Sequence, residues 1–423
     1  MSGVEGAASL SALLQPGMRV FVPGASNEPR GLLELVAADP DCAAGVTFVQ
    51  FPLPGMNRTD FTAWHPDARM ESFFLSPAIR PAFERGRAAF LPMHMRRVYD
   101  HLARSAPFDL VLLQVGADAR GRLRHGPNVD FLEAVLPRAR RVVAQLNGRL
   151  GPPAGAPELE RARIDQLFEI DHGLPELPAS EIDDAARAIG RQVAGLVPNG
   201  ACLQTGIGSI PAAVLGALED HEDLGFHGGL IDDGAFALIE RGVITGARKA
   251  IDSGQHVTGM ALGSAALYAA LAERPDVVFR PACYTHESAV IAELDHFVSI
   301  NSAVEVDLFG QVSAEMVGGR QISGTGGAVD FMRAAAGAPQ GRSIVAMTAT
   351  AKDGALSRIV PALAEGTAVT AARTDVDCVV TEHGVAELRG RSVDARAEAL
   401  IAIAAPDFRD ALRDAWRARR ARL

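Results

Sequence analysis

The chain has 423 residues, of which 48% are hydrophobic, and its formal net charge is −10 at neutral pH. Because a chain of this length is too long to fold around one ordinary hydrophobic core, we expect two domains of roughly 200 residues each. The acidic balance argues against a protein that binds nucleic acid, since that function needs a basic face. The four cysteines are scattered without CxxC spacing, so neither a disulfide framework nor a zinc site is predicted.

The sequence shows no feature of a membrane or secreted protein. Its first residues, Met1-Ser-Gly-Val-Glu-Gly, include no basic segment, and no stretch approaches the ~20 uninterrupted apolar residues of a membrane span. We therefore expect a cytoplasmic protein that uses no membrane and no metal.

The first half of the chain alternates between apolar runs and helix-like segments. A buried strand is predicted just before Gly24, and further strands are predicted at 46–51, 108–116 and 141–147. Strands that alternate with helices predict right-handed crossovers and a largely parallel sheet.

A domain boundary is predicted where this alternation stops. Residues 150–178 are rich in proline and glycine, and a helix over 181–196, capped by Ser180, follows them. We therefore divide the chain into α/β domains at 1–178 and 179–423. The strand–loop–helix pattern around Gly206 resembles the one around Gly24, which predicts two similar open α/β domains with largely parallel sheets.

Two glycine-containing loops in the second half are candidate binding elements. The first runs from Gly206 to Ile210, and the second is Gly324-Thr-Gly326-Gly327, before a helix that contains Asp330. Glycines let backbone N–H groups approach a ligand closely, and a helix N-terminus adds a partial positive charge. Such loops suit a phosphate group or a carbonyl oxygen that becomes negative during a reaction.

Several longer segments carry a family resemblance. They occur in one order along nearly the whole chain: Leu203-Gln-Thr-Gly-Ile-Gly-Ser-Ile-Pro211, Ser299-Ile-Asn-Ser302 through Gly310-Gln-Val312, Ser323-Gly-Thr-Gly-Gly-Ala-Val-Asp-Phe331, Ser357-Arg-Ile-Val-Pro361 and Val379-Val-Thr-Glu-His-Gly-Val-Ala386. Together they resemble the acetyl-CoA hydrolase/transferase family, whose single-chain members include 4-hydroxybutyrate CoA-transferase.

The resemblance implies a fold, a substrate and a mechanism. It implies two α/β domains with the active site between them, a homodimer, and a substrate that is an acyl-CoA together with a small carboxylate. In this family a glutamate side chain attacks the thioester and becomes a glutamyl-CoA thioester, while backbone N–H groups stabilise the developing oxyanion.

The resemblance also assigns residues to the CoA site. The loop lining CoA and its thioester corresponds to Gly206, Ile207, Gly208, Ser209 and Ile210. Asn301 and Gly324 match family positions that contact CoA or its thioester carbonyl, and Gly326 and Gly327 are binding candidates as members of the same glycine loop. Arg342 stands where relatives carry a lysine near CoA. Arginine also suits a phosphate group, so this change is expected to preserve CoA binding.

The sequence departs from the family at the nucleophile. The family segment Gly-x-His-(Ser/Thr)-Glu-Met corresponds here to Gly225-Phe-His-Gly-Gly-Leu230, so Gly229 occupies the glutamate position. Glycine has no side chain that could form an acyl-enzyme intermediate. A second departure is Tyr284-Thr-His-Glu-Ser288, where relatives show a Tyr-Val-Asn-(Asp/Asn)-Pro-like run.

Two side chains are candidates to replace the missing glutamate. Glu287 is the best replacement carboxylate, either as a base that activates water or as a nucleophile, although a surface ion pair is the commoner role of such a residue. His227 suits a general base, and it could equally support the loop.

Three functions remain open from the sequence. The first is an acyl-CoA enzyme that no longer uses the glutamyl mechanism and instead hydrolyses an acyl-CoA or carries out another thioester reaction, such as decarboxylation. The second is a CoA-transferase with a replacement nucleophile or a direct ternary mechanism. The third is a non-catalytic CoA-binding partner protein. The identity of the acyl group is left open.

Overall fold

The computed structural model describes residues 10–422. These residues form two compact units. Unit 1 contains residues 10–179 together with Gly229–Asp233 and Val257–Thr285, and unit 2 contains residues 180–228, 234–256 and 286–422. The first change of unit follows residue 179, close to the division at residue 178 that the proline-rich stretch suggested.

The regular elements are short and alternate along the chain. The strands are β1 (Arg19–Phe21), β2 (Thr47–Gln50), β3 (Arg69–Ser72), β4 (Ala88–Phe90), β5 (Leu110–Ala117), β6 (Leu123–His125), β7 (Val142–Leu146), β8 (Gln166–Glu169), β9 (Cys202–Thr205), β10 (Gly225–Phe226), β11 (Leu230–Ile231), β12 (His256–Thr258), β13 (Met260–Ala261), β14 (Val277–Phe279), β15 (Phe297–Ser302), β16 (Glu305–Asp307), β17 (Val312–Ser313), β18 (Met316–Val317), β19 (Arg320–Gln321), β20 (Arg342–Ala346), β21 (Thr350–Ala351), β22 (Leu356–Ser357), β23 (Ile359–Val360), β24 (Cys378–Thr381) and β25 (Gly384–Glu387). The helices are α1 (Arg30–Ala38), α2 (Arg80–Glu84), α3 (Met95–Arg104), α4 (Leu132–Val135), α5 (Asp184–Ala194), α6 (Ser209–Gly216), α7 (Asp233–Glu240), α8 (Ala265–Leu271), α9 (Ala282–Thr285), α10 (Ser288–Ile291), α11 (Ala328–Gly337), α12 (Val393–Ala402) and α13 (Arg409–Arg420).

Unit 1 is built on an open parallel sheet. Its strand order is β4-β3-β2-β1-β5-β7-β8, with β6 paired antiparallel to β5. The strand β1 lies in the interior of the order, where Val20 is in register with Phe48 on one side and Leu110 on the other. Near-continuous burial of β5 is typical of a parallel strand covered on both faces.

Unit 2 repeats this design. Its main sheet has the order β10-β9-β15-β20-β24-β25, and only the final pair, β24 and β25, is antiparallel. The sheets of both units confirm the predicted α/β fold class with largely parallel sheets. The helix cap was predicted wrongly, because α5 begins at Asp184 and the side chain of Asp183, rather than Ser180, accepts a hydrogen bond from Ala186 N–H.

The later segments Gly229–Asp233 and Val257–Thr285 are joined to unit 1 by strand pairing. The strand β11 pairs in parallel with β13, and Asn128 forms an antiparallel bridge with Met260. The backbone N–H groups of Gly259 and Met260 both donate hydrogen bonds to the Gly229 carbonyl, at 3.2 and 3.0 Å. These bonds bring the segments around residues 128, 229 and 259 together within one unit.

The loop after β1 has a constrained backbone. Ala25 has φ of 52°, a left-handed conformation that is costly for a residue with a side chain. The buried Asn57 side chain holds this loop: its Oδ1 accepts hydrogen bonds from the N–H groups of Ala25 and Leu53, at 2.7 and 2.8 Å, and its Nδ2 donates to the Ala25 carbonyl. Gly24 is required here because a Cβ at this position would lie 1.9 Å from the Phe51 carbonyl oxygen.

Within residues 10–422, no helix is long and apolar enough to cross a membrane. The same described residues contain no group of three or more His, Cys, Asp or Glu side chains arranged to hold a metal ion.

Replacing Asn57 with alanine is expected to destabilise the protein. The substitution leaves the buried N–H group of Ala25 and the partly buried N–H group of Leu53 without their acceptor, and a buried unsatisfied group costs about 1–3 kcal/mol. We expect the free energy of unfolding, measured by urea denaturation, to fall by about 2 kcal/mol or more. The exposed Asn199 accepts a single backbone hydrogen bond from Glu222, so Asn199→Ala is the control with the smaller expected loss. Equal losses in the two variants would contradict this account of the loop.

Candidate functional site

The Gly206–Ile210 loop lies at the carboxyl end of β9 in unit 2. The strand ends at Thr205, and α6 begins at Ser209. Gly208 has φ of 113°, which favours glycine, and a Cβ on either Gly206 or Gly208 would meet no atom within 4 Å. The loop therefore borders open space at the edge of a parallel sheet where α/β proteins commonly bind ligands. Its predicted contact with CoA fits this placement and stays a prediction.

A buried polar network holds Asn301 behind this loop. The Asn301 amide nitrogen donates to Gln204 Oε1 at 3.0 Å and to Ser299 Oγ at 2.9 Å, and the Ser299 hydroxyl also donates to Gln204 Oε1 at 3.0 Å. The three side chains lie on the adjacent parallel strands β9 and β15. The network fixes the orientation of Asn301, which was predicted to contact CoA, and joins it to the strand that carries the loop.

The second glycine loop precedes α11. Gly326 has φ of 59°, and Gly327 is the residue immediately before the helix, where it provides no side-chain cap. Gly324 is buried, whereas Gly326 and Gly327 are partly exposed. Because glycine has no side chain, Gly327 cannot cap the first N–H groups of α11. The predicted roles of these glycines in binding CoA or an oxyanion remain predictions.

Arg342 lies apart from the Gly206 loop. It is the first residue of β20 and is in register with Val298, whereas Asn301 is in register with Val345 toward the carboxyl end of the sheet. The Arg342 guanidinium forms an ion pair with Glu387. Unit 2 therefore brings Asn301 close to the strand that carries the loop. It places Arg342 toward the opposite end of the parallel strands, where β20 begins.

Two histidines in unit 2 are enclosed by aromatic rings. His227 is fully buried, and its ring lies 6.4 Å from that of Phe297 in an edge-to-face arrangement. His286 is 1% exposed and lies 4.4 Å from the ring of Phe331. Burial, with a smaller contribution from His227, lowers the pKa of His286 to about 3. His286 is therefore a neutral imidazole at physiological pH.

Glu287 begins a short helix. Its carboxylate accepts a hydrogen bond from Ala289 N–H at 3.4 Å, and the residue is partly exposed. This geometry is typical of a helix N-cap. The structure therefore gives Glu287 a role in capping the helix, and its catalytic role stays a prediction.

Gly229 lies beside a buried carboxyl group in unit 1 that the motif analysis missed. A Cβ built on Gly259 would lie 2.1 Å from Asp130 Oδ1 and 3.1 Å from the Gly229 carbonyl oxygen. Asp130 is 1% exposed, and neither of its carboxyl oxygens has a hydrogen-bond partner. Burial raises the pKa of this carboxyl well above its usual range. The available sequence signal was the Gly-Pro-Asn-Val-Asp run that follows β6, which has no recognisable catalytic spacing.

A cleft in unit 1 opens next to the constrained loop after β1. It has a volume of about 630 Å³, and its walls include Glu28, Arg30, Met56, Arg58 and Trp64. This volume lies within the usual range of small-molecule pockets. Burial raises the pKa of Glu28, which accepts a hydrogen bond from Gln50 at 3.0 Å. No sequence pattern indicates this cleft, because its walls come from segments far apart along the chain.

The buried His286 is expected to make the protein sensitive to acid. Its pKa is about 3 in the folded state and ~6.5 in an unfolded chain, so between these values the unfolded chain binds more protons. The free energy of unfolding therefore falls as the pH drops below ~6.5, and His286 alone contributes a loss of about 2 kcal/mol at pH 5.

The variant His286→Asn removes this titrating group. We expect its free energy of unfolding to fall less between pH 7 and pH 5 than that of the wild type, by about 2 kcal/mol, as measured by urea denaturation at both pH values. Other acid-sensitive groups are present in both proteins and cancel in the comparison. Equal pH-dependent losses would show that His286 takes up a proton as readily in the folded state as in the unfolded state.

Comparison with known proteins identifies the family. The N-terminal domain model of the acetyl-CoA hydrolase/transferase family matches residues 4–154, and the C-terminal domain model matches residues 263–416. The chain is 36% identical over 403 residues to the 4-hydroxybutyrate coenzyme A transferase of Clostridium kluyveri, an alignment that covers 95% of this chain and 94% of that protein.

Solved structures agree with the sequence comparison. The 4-hydroxybutyrate CoA-transferase of Porphyromonas gingivalis has a TM-score of 0.81 and 31% identity, covering 98% of this chain and 97% of that chain. The crystal structure of RipA from Yersinia pestis has a TM-score of 0.88 and 29% identity, covering 99% of this chain and 100% of that chain. The chain belongs to the acetyl-CoA hydrolase/transferase family.

Proposed function

We propose that this protein is an acyl-CoA enzyme that hydrolyses its substrate without forming a glutamyl-CoA intermediate. The observation that carries the proposal is Gly229, which occupies the position that the family motif gives to the nucleophilic glutamate. A glycine can form no side-chain thioester, so the covalent route cannot pass through this residue. Water is the simplest nucleophile that needs no side chain.

The retained segments supply the binding part of this function. The loop from Gly206 to Ile210 borders open space at the carboxyl end of β9, where it is assigned to CoA and its thioester. The loop from Gly324 to Gly327 is assigned to the thioester carbonyl, because N–H groups at a helix start stabilise a developing oxyanion. Asn301 is held in one orientation behind the first loop by Gln204 and Ser299.

The hydrolase function is tested by following three products together. The protein is incubated with a panel of acyl-CoAs, with and without acetate, and free CoA, newly formed acyl-CoA and the intact protein mass are measured. We expect free CoA to be released at a rate that does not depend on acetate, with no CoA-sized mass on the protein. Thermal stabilisation by CoA without turnover of any thioester would instead support a non-catalytic CoA-binding protein.

A CoA-transferase is the second candidate, because the relatives from Clostridium kluyveri and Porphyromonas gingivalis are both named as CoA-transferases. In that case Glu287 would act as the nucleophile, or two substrates would react directly in a ternary complex. Formation of acetyl-CoA in the presence of acetate would support this function. A CoA adduct on Glu287 would identify the covalent route, whereas transfer without an adduct would identify the ternary route.

Restoring the glutamate tests the role assigned to Gly229. We expect the variant Gly229→Glu to gain acetate-dependent CoA transfer and a CoA adduct visible in the intact mass, because a carboxylate returns to the nucleophile position. The matched control is Gly228→Glu, which places the same side chain one residue earlier. If Gly229→Glu binds CoA and melts like the wild type but gains neither activity nor adduct, then position 229 is not the nucleophile position in this chain.

A further inference from the structure

The carboxyl group of Asp130 is buried in unit 1 without compensation. The residue is 1% exposed, and both of its carboxyl oxygens lack a hydrogen-bond partner. Its backbone, by contrast, is well satisfied: Asp130 N–H donates to Asn128 Oδ1 at 3.1 Å, and its carbonyl accepts a hydrogen bond from Ala282 N–H at 2.9 Å. Hydrogen bonds of the main chain therefore hold the residue in place, whereas its carboxyl group makes no hydrogen bond.

The environment of this carboxyl favours its protonated form. Burial is the cause that raises the pKa of Asp130, and no neighbouring charge opposes that effect. Transfer of a carboxylate into such surroundings costs so much free energy that the group takes up a proton instead. In its protonated form Asp130 has one O–H donor inside unit 1. No group in the described part of the chain accepts a hydrogen bond from this donor.

Gly259 adjoins the carboxyl, and the Gly229 carbonyl lies close to the same glycine. A Cβ on Gly259 would lie 2.1 Å from Asp130 Oδ1, so any side chain at this position would displace the carboxyl group. The same point is 3.1 Å from the carbonyl oxygen of Gly229. The proton-bearing group and the residue at the family's nucleophile position therefore occupy one small region of unit 1.

Packing does not explain the presence of an acid at this position. An apolar side chain of similar size would avoid the cost of burying an unbonded polar group, which is about 1–3 kcal/mol in proteins. Buried groups without partners are rare in native proteins and call for a specific reason. Proton chemistry at a reacting centre is one such reason, since enzymes hold carboxylic acids neutral by burial for this use.

We propose that Asp130 is a catalytic acid for the hydrolysis inferred above, and the inference rests on that function. Water attacks the thioester carbon, and the tetrahedral intermediate then collapses with cleavage of the C–S bond, whose electron pair goes to sulfur. The Asp130 O–H gives its proton to that sulfur. The resulting carboxylate takes up the proton released by the attacking water, so that acyl-CoA and water become a carboxylic acid and free CoA, and Asp130 returns to its starting form.

The variant Asp130→Asn tests this role with little change in shape. Asparagine is isosteric with a protonated aspartate and is also neutral, so folding and CoA binding should be kept, but its amide cannot transfer a proton. We expect kcat for acyl-CoA hydrolysis to fall about 100-fold, a typical loss for one general acid, while the Kd for CoA changes less than about twofold. Asp67→Asn is the control because the Asp67 side chain is 71% exposed, and it should leave kcat unchanged.

Gly259→Ala provides a second variant that keeps the acid and displaces it. The added methyl group would fall 2.1 Å from Asp130 Oδ1, so the carboxyl must move. We expect a loss of kcat in the same direction as for Asp130→Asn, again with CoA binding kept. This variant decides the question if Asp130→Asn loses its cooperative melting transition.

The outcomes separate the two proposals. If the wild type binds CoA but releases none from any acyl-CoA, the hydrolase function is wrong and the role of Asp130 falls with it. If the wild type hydrolyses an acyl-CoA, and a folded Asp130→Asn does so at the same kcat, the hydrolase function stands and the catalytic role of Asp130 is overturned. A loss of CoA affinity in place of kcat would also overturn it, because that result indicates a binding role.

Discussion

The hydrogen bonds accepted by the Gly229 carbonyl are the constraint on which the proposed chemistry depends. The N–H groups of Gly259 and Met260 both donate to it, and Met260 also bridges to Asn128. Three distant parts of the chain thereby meet through contacts between main-chain atoms. Because the contacts are between main-chain atoms, they do not depend on which side chain position 229 carries.

Two buried polar sites, one in each unit, differ in whether their groups are hydrogen-bonded. In unit 2, Gln204, Ser299 and Asn301 satisfy one another, which fixes their positions and makes them a rigid support for the loop that follows β9. In unit 1, Asp130 has no such network. A satisfied network suits binding, because it holds a shape, whereas an unsatisfied acid suits chemistry, because its proton is not committed to another group.

The fold could be predicted from the sequence more completely than the site. The apolar runs before Gly24 and around residue 112 were recognised as strands because they are continuous and flanked by turn residues. Apolar residues alternate from residue 298 to residue 308 as they would in a single strand, but the structure divides this run into β15 and β16, which belong to different sheets. Periodicity records which faces are apolar and contains no information on where a strand changes partners.

The candidate site was predictable only where a local motif contains it. The loop from Gly206 to Ile210 is contiguous, and Gly208 is favoured by the positive φ of its own backbone. The proximity of Asp130 to Gly229 arises from pairing between segments about 100 residues apart, and no spacing rule connects them. The helix cap illustrates the same limit at short range, because Ser180 and Asp183 are both good caps by composition and only the observed helix start selects Asp183.

The raised pKa of Asp130 is also relevant to the glycine that we propose stands at the glutamate position. Two carboxyl groups in one poorly solvated region cannot both ionise easily, since each negative charge raises the pKa of the other. An enzyme with a nucleophilic glutamate near this point needs that glutamate charged, and a protonated Asp130 satisfies the requirement by adding no second charge. The proposed replacement of the glutamate would then leave a proton donor in place beside position 229. The proposed hydrolysis would need no further acid, because burial favours the protonated form of the Asp130 carboxyl.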